Sequence, residues 1–196
     1  MRSLNKFIVH LPNRFKNTVT VGGKEIYLDT RFNEFEHRFM EAEIVAAPER
    51  YNTGASAGDI LYFHHHVVLG DGQVFDREKG YYIVHYNHDE PLLSQGYAYK
   101  RKKDNEIVIL QDWVFLKPVE QERYIKSSVL YLDNIADEHN REGEVAFDSD
   151  ALAELGLYKG DRVFFQKNAD YEMEIDGEKY WRMNTNFLTY AKVHNG

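Results

Sequence analysis

The chain has 196 residues, 43% of them apolar and 14% aromatic, enough for one large or two small packed cores. A formal net charge of −8 disfavours a nucleic-acid partner, because phosphate binding needs clustered Lys and Arg. The absence of cysteine excludes disulfides, zinc ribbons and thiolate catalysis. No N-terminal apolar stretch resembles a signal peptide and no run reaches the length of a membrane span, so the expectation is a cytoplasmic protein with no membrane partner.

Tyr and Phe dominate the aromatics with 14 and 12 copies, which favours strands over helices. In chain order, short apolar runs bounded by turn residues predict strands at 7–11, 42–47, 60–63, 81–84, 113–116, 144–147, 162–166 and 179–183. Asp71-Gly72 and Asp176-Gly177 are hairpin signals, since Gly accepts the positive φ of a tight turn. Only 31–40 and 149–157 could hold a helical turn. The fold class read from this pattern is all-β, with the strand spacing of small barrels or sandwiches.

The chain also repeats itself. Asn5 to Pro12 resembles Gln111 to Pro118 at an offset of 106, and Tyr27-Leu28-Asp29 recurs as Tyr131-Leu132-Asp133 at 104. Glu43-Ile44-Val45 matches Glu144-Val145-Ala146 at 101, and Gly58-Asp59 matches Gly160-Asp161 at 102. The order is kept while the offset drifts by a few residues, as loop-length variation produces. The reading is a tandem of two domains, 1–99 and 100–196. Their seam falls near the basic run Lys100 to Lys103, which Asp104 and Glu106 follow at once, so the run reads as a solvated turn.

Three consecutive histidines, His64-His65-His66, raise a metal-centre reading, since imidazole is a common ligand for transition metals. Gly58 followed after five residues by His64-x-His66 opens like a cupin motif, but the glutamate such a site needs next is absent: Gly70 and Asp71 stand there. On a continuing strand only His64 and His66 would share a face. The repeat sets Gln166-Lys167-Asn168 opposite them. The expectation is therefore no metal, with His64 and His66 as weak candidates, and no catalytic residue. No Gly-rich phosphate loop, nucleophile elbow or His-Glu-x-x-His pair is present.

From residue 110 to 194 the sequence resembles the GroES-type co-chaperonin family. The resemblance is carried by Asp112 to Pro118, Ser127 to Asn134, Gly143-Glu144-Val145, Lys159 to Phe165 and Glu172 to Met183. Residues 5 to about 95 carry a more divergent version of the same pattern, with a longer aromatic stretch from Thr30 to Phe39 and an insertion around 66–80. The resemblance implies two tandem GroES-like barrels and a co-chaperonin that caps an ATP-dependent chaperonin ring and assists folding. It implies no enzyme activity and no cofactor, ATP being used by the chaperonin partner. In that family a mobile loop carries an aliphatic anchor to the chaperonin's apical domain, and the subunits assemble as a ring-like homo-oligomer. The anchors implied here are Ile26, Tyr27 and Leu28 in the first half and Val129, Leu130 and Leu132 in the second. Tandem and viral members are known, and the divergence points to a bacteriophage source. Two other readings stand beside this one: a cupin-like metalloenzyme using His64 and His66, and a viral structural protein built from GroES-like domains.

Overall fold

The computed structural model describes residues 1–29, 37–69, 73–119 and 141–192. The chain divides into two compact units, Met1–Gln111 and Asp112–Gly196. The first carries β1 (Lys6–His10), β2 (Thr18–Val21), β3 (Lys24–Tyr27), β4 (Glu41–Ala46), β5 (Ile60–Phe63), β6 (Val74–Asp76), β7 (Tyr81–His85), β8 (Gly96–Lys100) and β9 (Ile107–Ile109). Seven of these form an antiparallel sheet in the order β6-β7-β1-β4-β5-β8-β9, while β2 and β3 pair with each other in a separate two-stranded sheet.

Period-two alternation decides which side chains face inward. Ala42, Ile44 and Ala46 of β4 are buried while Glu43 is exposed, and Tyr82 and Val84 of β7 turn inward. Ala42, Ile44, Tyr82 and Val84 join Phe7, Val9, Leu11, Leu61, Phe63, Val67 and Val68 in one core. Val74 of β6 and Val108 of β9 pack against that same cluster from opposite ends of the strand order, so the sheet curls around its core in the manner of a barrel.

The second unit carries β10 (Trp113–Pro118), β11 (Glu142–Val145), β12 (Arg162–Phe165), β13 (Tyr171–Ile175), β14 (Glu178–Asn184) and β15 (Leu188–Lys192), with one short helix, α1 (Asp150–Glu154). Ser149 caps α1, its side-chain oxygen accepting the Leu152 N–H at 3.2 Å, and Leu152 anchors the turn in the core. The strand order is β13-β14-β10-β11-β12-β15. Replacing each strand by its counterpart gives β6-β7-β1-β4-β5-β8, the order of the first unit.

The equivalence extends to single residues. β5 slips against β8 between Tyr62 and Phe63, and β12 slips against β15 between Phe164 and Phe165. Ile60 faces Lys100 as Arg162 faces Lys192, and Phe63 faces Gly96 as Phe165 faces Leu188. In the first strands the sequence offset of 106 is one residue short. Val9 pairs with Ile44 and Leu116 pairs with Val145, while Phe7, Val9, Val114 and Leu116 all point into a core. Phe7 therefore corresponds to Val114 and not to Trp113, because a one-residue slip would turn the strand inside out.

The division also lies further along than the sequence placed it. Lys100 pairs with Ile107 across β8 and β9, so the basic run 100–103 closes a hairpin inside the first unit. The compact boundary is Gln111/Asp112, not 99/100.

Candidate functional site

Each unit has one long connection in the same place, between its first and second core strands: β1 to β4 in the first and β10 to β11 in the second. The first holds the β2–β3 hairpin, with Val19 opposite Ile26 and Thr18 opposite Tyr27. Gly22 and Gly23 form its two-residue turn with φ of 57° and 79°, the pair of positive values a type I′ hairpin requires. Among the described residues, nothing lies within 4 Å of where a Cβ would stand at either glycine.

The hairpin presents apolar side chains to solvent. Val21 is 57%, Ile26 47% and Tyr27 79% exposed. Ile26 and Tyr27 are adjacent on one strand, so they show on opposite faces of the ribbon. Leu28 is half-buried at the base, where its N–H donates to the Asn17 carbonyl at 2.8 Å. Below it, the Lys16 N–H donates to His37 O at 2.6 Å and the Phe39 N–H to Arg14 O at 3.2 Å, which fastens the base of the ribbon. The sequence assigned Ile26, Tyr27 and Leu28 to a loop; the first two lie on a strand whose side chains are as exposed as a loop's. Val21, paired with Lys24, lies on the face of Ile26 and was not singled out, because an isolated Val before Gly-Gly carries no distinguishing signal. Val129, Leu130 and Leu132 fall in 120–140, outside the described residues.

The histidines are placed differently from a continuing strand. β5 ends at Phe63, and His65–Val68 forms a 3-10 turn, so all three imidazoles gather on one side of the bend. Their ring centroids lie 4.3 Å apart pairwise, and one nitrogen from each falls within 4.8 Å of the others. The expectation that only His64 and His66 share a side is thus corrected: His65 joins them because strand alternation stops one residue earlier.

Among the other titratable groups, burial pushes the Tyr180 phenol up to about 12, reinforced by its hydrogen bond to Glu178 at 2.8 Å. Burial, then the neighbouring Lys6, hold the His85 imidazole below its ordinary value; Lys6 Nζ lies 2.6 Å from His85 Nδ1. Among the described residues no helix is long and apolar enough to cross a membrane.

Residues 106–189 match the family model of the chaperonin 10 kDa subunit. Two curated relatives are similar over the same part of the chain. A protein named co-chaperonin GroES from Symbiobacterium thermophilum is 36% identical over 74 residues, covering 34% of this chain and 75% of that relative. Another protein of that name, from Coprothermobacter proteolyticus, is 37% identical over 82 residues, covering 38% of this chain and 83% of that relative. The family is non-enzymatic, which sets aside the cupin-like enzyme reading of His64 and His66. With three quarters or more of each relative covered at this identity, the chain belongs to the chaperonin 10 kDa subunit family, that of the GroES co-chaperonins.

Proposed function

We propose that the protein is a co-chaperonin that caps an ATP-dependent, GroEL-type chaperonin ring and assists folding. The exposed β2–β3 hairpin carries this reading: Val21, Ile26 and Tyr27 are large exposed apolar side chains on a two-stranded ribbon fastened at its base. Such a ribbon gains by laying its apolar side chains in a groove of a partner. The second contact is the segment at the equivalent place in the second unit, with Val129, Leu130 and Leu132 as anchors. Several such contacts on one ring-like homo-oligomer act together through effective concentration, so each can stay weak and reversible. The first unit shares the strand order of the family-matching unit, which supports two copies of one domain per chain. Nucleotide is bound by the chaperonin, and the capping role asks for no cofactor in the protein itself.

The test is refolding of a denatured client by a GroEL-type chaperonin and ATP, in which the protein replaces the usual co-chaperonin. The expected result is a client yield well above that of chaperonin and ATP alone. Yields equal to that control, across chaperonins from several bacterial groups, would overturn the reading.

A further inference from the structure

We propose that His64, His65 and His66 bind one divalent transition-metal ion of the zinc, nickel or copper class. This is independent of the chaperonin reading. The donor set is imidazole only, which suits these borderline cations and not calcium or magnesium, whose sites are built from oxygen.

The geometry is fixed by backbone and core. The His64 N–H donates to Gln95 O at 2.8 Å, tying the end of β5 to the residue before β8. Immediately past the histidines the chain is pinned, with Val67 and Val68 essentially fully buried. Between these anchors the three rings have little room to separate. A tetrahedral zinc ion with Zn–N of about 2.0–2.1 Å holds its nitrogens roughly 3.4 Å apart. The 4.8 Å spread closes to that value by small rotations, for which the exposed His66 has the freedom. The cost is local: His64 Nδ1 accepts the His66 N–H at 3.1 Å, and ligation through that nitrogen gives up this contact.

The second unit shows that the fold does not require histidine here. The same strand slip precedes Gln166, whose N–H donates to Phe187 O at 2.9 Å just as His64 donates to Gln95, yet the residues that follow are Lys167 and Asn168. The first unit places an imidazole, that of His65, at 8% exposure where the second exposes a lysine.

The experiment uses the full chain without a histidine tag, stripped with a chelator and titrated with Zn²⁺ alone against a competing chromophoric chelator. One equivalent should bind. His66→Ala and His64→Ala should each weaken binding at least tenfold, while His10→Ala, at an exposed position on β1, should not change it. Zinc should raise the melting temperature of the wild type and leave that of His66→Ala unchanged. Binding well below one equivalent, or equal affinity in wild type, His64→Ala and His66→Ala, would overturn the proposal. His66 is exposed, so its replacement tests the site without endangering the fold.

Discussion

Asp59 and Asp161 make the same turn in the two units. Asp59 Oδ2 accepts the Ser56 N–H at 2.8 Å and Asp161 Oδ2 accepts the Tyr158 N–H at 2.9 Å, each carboxylate reaching three residues back. The preceding glycines have φ of 93° and 95°. Asp59 O and Asp161 O accept from Ile44 and Val145 at 2.7 and 2.9 Å, fastening each turn to the neighbouring strand. Both aspartates are buried, so losing the side chain strands backbone donors away from water. Asp161→Ala should cost about 1–3 kcal/mol. Asp59→Ala should cost at least about 1–3 kcal/mol, the loss expected of one acceptor, since Asp59 Oδ1 also accepts the Lys102 N–H at 2.9 Å. Urea midpoints at unchanged m-value measure both losses.

Gly143 is needed for space. A Cβ there would lie 2.8 Å from Leu116 Cβ and 3.3 Å from the Lys117 carbonyl oxygen, where β11 crosses β10. Leu116 is fully buried and cannot retreat. Gly143→Ala should destabilise by about 1–3 kcal/mol, the usual cost of overpacking. Gly23→Ala meets no neighbour, so it should act only through its φ of 79° and chiefly loosen the hairpin. Thermal unfolding of the two variants separates the effects.

Arg182 sits between two aromatic faces. Its guanidinium carbon lies 4.6 Å from the Trp113 ring centroid and 4.7 Å from that of Tyr171, and the residue is 9% exposed. Planar guanidinium stacks on rings as an ammonium cannot. Arg182→Lys should therefore destabilise by about 1–2 kcal/mol although the charge is kept. Equal stability of Arg182→Lys and wild type would show that charge alone matters.

His85 gives the first unit a pH dependence of known sign. Its folded pKa is depressed, by burial first and by Lys6 second, so between that value and the ordinary histidine value of 6.5 the unfolded chain binds more protons than the folded one. Stability then rises with pH through that window and is lost on acidification. The difference in unfolding free energy between wild type and His85→Gln, measured from pH 5 to 8, should carry this slope. Parallel curves would contradict it.

What the sequence made legible follows from its physics. Gly58-Asp59 and Gly160-Asp161 stood out because a positive φ favours glycine and a short carboxylate closes the turn behind it, leaving a strong local signature. The strands 60–63 and 162–165 follow directly and were placed well. β8 and β15 were missed: Gly96–Lys100 and Leu188–Lys192 mix Tyr, Ala and Lys without clean alternation, and only their partners make them strands. Matching Pro12 to Pro118 misled the first-strand register by one residue, since residue likeness ignores which face a side chain takes. In the candidate site, Ile26 and Tyr27 were singled out through the family resemblance, whereas their exposure depended on β2 and β3 forming a two-stranded sheet of their own. His65 was passed over because the histidines were weighed as if on a continuing strand, whereas the 3-10 turn His65–Val68 that gathers them is a tertiary event, set by Gln95 and the buried Val67.

The central claim is that this chain caps a chaperonin through its apolar hairpin, and co-sedimentation with a GroEL-type ring tests it most directly. Wild-type protein should sediment with the ring in ATP and stay in the supernatant without nucleotide. The double variant Ile26→Asp, Tyr27→Asp should lose at least tenfold in affinity while keeping the wild-type melting temperature, because both side chains already face water. Absence of a complex with ATP, or a complex unaffected by the double variant and by Leu130→Asp together, would contradict the account.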